Sequence, residues 1–172
     1  AALVLGAVLV VFKLAGPLED VPPERSGRRP SAFTSAAAGK MALAGLLVLP
    51  AVWFVAQSPM KGQVVGAVLV GGLLAGLAGR MWSPHVQPVL VFVTPIVFGA
   101  IGHIVGGVLM KDSLGEAFIA DEVPPLCLPM PIDYATGTLL GVSLGLGWAK
   151  SLLHPHEEEA KTPAVKATPQ KA

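Results

Sequence analysis

Charge is scarce in this chain of 172 residues. Lys, Arg, Asp and Glu together make up 13% of it, against about 25% in an ordinary soluble domain. That deficit excludes a typical water-soluble globule, and a mean hydropathy of +0.67 assigns the chain to lipid. The net charge of +1 excludes a strong field for nucleic acid, so no nucleic-acid partner is expected. One cysteine, Cys127, excludes an intrachain disulfide and a cysteine-based zinc cage.

Catalytic signatures are missing as well. There is no GxSxG, no HExxH, no Walker sequence, and no GxGxxG in a strand-to-helix context. Gly145-Leu-Gly147 lies inside an apolar run and forms no phosphate loop. The acidic residues fall in loops and the tail, so no catalytic carboxylate pair is expected, and the chain reads as a non-enzyme. Pro50 and Pro95 interrupt two apolar runs, but their flanking sequences do not match, so the broken-helix repeat of many transporters is not visible. No metal centre is expected. His154, His156 and the acidic run Glu157, Glu158 and Glu159 offer ligand atoms without a fixed geometry.

What is abundant is apolar sequence carrying glycine and proline, 20 and 16 residues respectively. Membrane helices tolerate both. Five apolar stretches stand out, at 1–14, 41–57, 62–79, 88–110 and 134–153. About 20 residues cross the hydrocarbon of a bilayer. The fourth and fifth stretches meet that length, and the second and third need flanking residues or local thinning. The first covers only about 21 Å at about 1.5 Å per residue. It reads as a short or truncated anchor rather than a signal-peptide remnant, because it has no basic leader and no A-x-A site. The fold class is therefore all-α, a polytopic transmembrane bundle of four to five spans. Residues 15–40 form a cytoplasmic linker, 41–110 carry spans two to four, 111–133 an acidic, Pro-rich outer loop, and 154–172 a disordered tail.

Loop charge predicts the orientation. Alternate loops collect ten Lys and Arg on one side and two, Lys61 and Lys111, on the other. Cytoplasmic loops are the basic ones, so the N-terminus is expected outside and the C-terminus in the cytoplasm, in a bacterial inner membrane. Trp53 and Tyr134 then fall at outer helix ends and Trp82 and Trp148 at inner ends, at the headgroup level that amphipathic rings prefer. Within the outer loop, 113–120 has the pattern of a short amphipathic helix. The apolar, proline-rich segment after it is expected either to dock a partner or to lie as a lid over the bundle.

Small residues recur four apart, as a packing face requires where lipid supplies no hydrophobic drive. One face carries Ala67, Gly71, Ala75 and Gly79, a second Gly102 and Gly106, a third Gly137, Gly141 and Gly145. These are the expected packing interface, used within one bundle or against another subunit. His103 is the one ionisable side chain well inside a span, about 10 Å from its outer end, and such a residue is a candidate functional site. The glycines around it leave room for a macrocycle, so haem or chlorophyll ligation is one reading. A place on a proton or ion path is another, and a hydrogen bond to Thr138 or Ser143 is the plainest. The function expected is a non-catalytic accessory or scaffold subunit, with other membrane subunits or a second copy as partner. The alternatives are a small channel or transporter, and a pigment-binding subunit.

Overall fold

A computed structural model describes residues 2–15, 35–84, 86–110, 114–120 and 122–153. The linker at 16–34, His85, Lys111, Asp112, Asp121 and the tail with His154 and His156 lie outside the described residues. The described residues form α1 (Ala2–Ala15), α2 (Ser35–Leu46), α3 (Val48–Val55), α4 (Lys61–Trp82), α5 (Val89–Leu109), α6 (Leu114–Ala120), a single 3₁₀ turn (Pro125–Cys127) and α7 (Pro131–Leu153), with no strand among them.

Three stretches are long and apolar enough to cross a membrane: Ala36–Val55, Lys61–Trp82 and Val89–Leu109. The first of these is α2 and α3 in sequence. Pro50 has no N–H for the carbonyl of Leu46, and its ring crowds that turn. The chain answers with a break at Leu47, whose N–H donates three residues back to the Ala44 carbonyl at 3.1 Å before α3 resumes. Pro95 lies inside α5 and is fully buried, and α5 continues through it.

The remaining two runs of the sequence reading differ from these three. Helix α1 has 14 residues and is too short. Helix α7 has 23 residues, but its Thr, Ser and Gly residues and Lys150 dilute its hydropathy. It also begins at Pro131, inside the segment read as loop. Proline is favoured at the first helical position, where its missing N–H costs nothing.

Three clusters of buried residues make the core among the described residues. Val48, Val52 and Ala56 meet Ala67, Val68 and Tyr134 at one end. Met41 meets Ala75, Val91 and Val142 at the other. These pairings run α2–α3 antiparallel to α4. Helix α5 is antiparallel to α4 and to α7, since Val91 lies with Ala75 and Val142 while Gly99 faces Tyr134. Helix α1 rests against the start of α5, with Val8 buried beside Val89 and Val93.

Candidate functional site

Among the described helices, α4 and α7 share a long seam of close backbone approaches at glycine. Its partners advance together along both chains. Gly137 faces Val68 and Leu69, Gly141 faces Leu69, Gly72 and Leu73, and Gly145 faces Leu73 and Leu77. The two helices therefore run parallel. The contact is backbone on backbone. A Cβ on Gly141 would collide with the Leu69 carbonyl and lie 2.8 Å from the Leu73 nitrogen. One on Gly76 would lie 2.6 Å from the Val142 carbonyl oxygen. Cα–H groups that approach carbonyls this way add weak, repeated attraction.

The stripes read from the sequence are divided among different neighbours. The α7 glycines Gly137, Gly141 and Gly145 meet α4, but not on the stripe of Ala67, Gly71, Ala75 and Gly79. Gly71 abuts Val48 and Ala51 of α3, Ala75 sits in the core with Met41, and Gly79 abuts Val91 of α5. The face turned to α7 is that of Gly72 and Gly76, a second pair four apart on the same helix. On α5, Gly106 faces the Cys127 sulfur, while a Cβ on Gly102 would meet Leu126 and Leu49 only at 3.8 Å. Two further close approaches involve Gly45 against Thr94 and Gly99 against the Tyr134 ring. Gly45 stands off any spacing of four and Gly99 only flanks the Gly102 and Gly106 pair, so the stripe argument assigns neither a partner.

The parallel register is pinned at one end by a carboxylate. Asp133, nearly buried, accepts from the Lys61 ammonium at 2.7 Å and from the Met130 backbone N–H at 2.8 Å. Met130 is the residue before Pro131, so Asp133 is the third residue of α7 reaching back to the cap. Beside it the Tyr134 hydroxyl donates to the Leu126 carbonyl at 3.0 Å. Leu126 and Leu128 pack on the core, and Pro129 is fully buried. The proline-rich segment thus lies over its own bundle, while Met130 and Ile132 stay exposed. Burial pushes the Cys127 thiol above its ordinary pKa.

His103 lies on α5, partly buried, and its Nδ1 is shut from solvent with no hydrogen-bond partner. The bonds to Thr138 or Ser143 do not form. The Ser143 hydroxyl donates to the Leu139 carbonyl of its own helix at 2.7 Å, and Thr138 Oγ1 is buried without a partner. A second histidine for a bis-His haem would come from His85, His154 or His156, all outside the described residues. Among the described residues no group of three or more His, Cys, Asp or Glu side chains is placed to hold a metal ion. Compared with protein-family models, with curated proteins and with solved structures, the chain matches none.

Proposed function

We propose that the chain is an integral membrane protein of four crossing helices, α2–α3, α4, α5 and α7, serving as a non-catalytic accessory or scaffold subunit of a membrane assembly. The observation that carries it is the α4–α7 seam. A helix held parallel to α4 over three glycine contacts shares its depth and direction, so α7 crosses wherever α4 crosses.

Charge supports an orientation for this bundle. Lys40, Arg80 and Lys150 stand toward one end, and Lys61 with Asp133 toward the other. By the positive-inside rule the first end is cytoplasmic. The accessory role is supported by how the interior is filled. Its core clusters are Val, Ala, Met and Tyr side chains, and its closest helix contacts are made at glycines. Packing of this kind supports a structural role. The apolar outer faces, including Ile104, Val108 and Leu140, are left for lipid and for neighbouring subunits.

The test is topology by cysteine access. In a Cys127→Ala background, a single cysteine at Ser58 reacts with an impermeant maleimide added outside intact cells. One at Ser151 reacts only after permeabilisation. Equal labelling of both from outside refutes the four-span arrangement. Co-purification in mild detergent identifies the partner subunits, and a chain that always purifies alone refutes the accessory role.

A second reading draws on the unpartnered Nδ1 of His103. It makes His103 either a haem or chlorophyll ligand or a relay on an ion path. Visible absorbance lost in His103→Leu supports the first. Proton flux in liposomes lost in His103→Ala supports the second.

A further inference from the structure

We propose that the proline-rich segment 124–128 is a lid that shuts the Nδ1 of His103 from the outer water and lifts, with Pro129 as its fixed end, to expose it. The inference deepens the second reading of His103 above and rests on that reading for what passes the lid.

The seat of the lid is a stripe of α5. Gly99, His103 and Gly106 follow one another at spacings of four and three, so they share one face of the helix. Both glycines of that stripe are covered. The Tyr134 ring lies on Gly99 and the Cys127 sulfur on Gly106. Between these covers in sequence, Leu126 stands over Gly102, and the Tyr134 hydroxyl donates to the Leu126 carbonyl at 3.0 Å, which ties the covers together. His103 falls between the two covered glycines, and its Nδ1 is shut from solvent without a hydrogen-bond partner. A buried polar atom with no partner is costly, and water admitted by lifting the lid relieves that cost.

Little holds the segment down. Pro124 and Pro125 have no N–H to donate. The N–H groups of Cys127 and Leu128 donate within the segment, to the Pro124 and Pro125 carbonyls at 2.8 and 3.3 Å, and these bonds travel with it. Leu126, Cys127 and Leu128 are half-buried, whereas Pro129 is fully buried and the Met130 N–H is bound to Asp133. The fixed end is therefore where the segment joins α7. Segments with few bonds to the rest of a fold are the ones that open locally.

The experiment locks the lid. A Cβ on Gly102 stands 3.8 Å from the Leu126 Cβ, a separation that suits a disulfide. The full chain carries Gly102→Cys and Leu126→Cys in a Cys127→Ser background, which keeps a polar atom over Gly106. In mild detergent it is treated with diethyl pyrocarbonate, and His103 is followed by peptide mass spectrometry. The doubly modified imidazole is the readout, because it forms only where Nδ1 is reached. It forms in the reduced chain; oxidation slows it about tenfold or more, and reduction restores the rate. Adding Tyr134→Phe speeds the reduced chain about fivefold, the worth of one ordinary hydrogen bond, and leaves the oxidised chain unchanged. Equal rates in the oxidised and reduced chains overturn the proposal. So does the absence of double modification in both states, or a cysteine pair that does not oxidise. Failure of the His103 reading looks different: absorbance and flux do not change in the His103 variants, while the effect of locking stays intact.

Discussion

Replacing Gly141 with alanine is the sharpest probe of the seam. The added methyl would meet the Leu69 carbonyl, the Leu73 nitrogen at 2.8 Å and the Gly72 Cα at 3.0 Å. All three are backbone atoms of a helix, so no side-chain rotation relieves them. Ordinary carbon contacts need about 3.5–4.0 Å, so α4 and α7 must separate by about 1 Å. That separation loosens the neighbouring contacts at Gly72, Gly76 and Gly145 as well. Overpacking of this kind costs about 1–3 kcal/mol, and the value for Gly141→Ala belongs at the upper end. Gly147→Ala on the same helix is the control, since nothing lies within 4 Å of its added Cβ. Alanine there gains up to about 1 kcal/mol of helix propensity over glycine. In thermal unfolding followed by circular dichroism in mild detergent, Gly141→Ala falls by about 4–10 °C, and Gly147→Ala is unchanged or raised. Equal transition temperatures for the two variants would refute the parallel seam.

Further predictions concern the end that pins the register. Asp133→Ala removes the partner of Lys61 and the acceptor of the Met130 N–H together, and should cost about 1–3 kcal/mol. Lys61→Met removes only a pair whose lysine is 59% exposed, and should cost under about 1 kcal/mol; equal losses from the two in chemical unfolding would show that the cap bond contributes nothing. Burial holds the Cys127 thiol above its usual pKa, so less of it is thiolate near neutral pH. Maleimide labelling of the folded chain should therefore be slower than that of a free thiol at pH 7, and should still be rising with pH where the free thiol has levelled off. Tyr134→Phe deletes the bond to the Leu126 carbonyl, at a cost of about 1 kcal/mol. It should speed that labelling several-fold by loosening the 3₁₀ turn, and an unchanged rate would place the hold on Cys127 elsewhere.

The sequence alone determined the all-helical class and the apolar character. It also showed the small-residue faces on α4, α5 and α7 and the missing N–H at Pro50 and Pro95, of which only Pro50 goes with a helix break. Each of these depends on local chemistry: the length of an apolar run, a missing N–H, a spacing of four. Orientation of a face is local too, but its partner is not. Helix α4 carries small residues on two faces, so spacing could not say which of them α7 would cover. Only packing assigned Gly72 and Gly76 to α7 and gave Gly71 and Gly79 to α3 and α5. The reach of Asp133 across to Lys61 and the resting place of Cys127 on Gly106 were likewise decided by tertiary structure. The physical reason is common to all of them. A close approach between two backbones is a property of the pair, and neither helix records in its own sequence where along the chain the other will be.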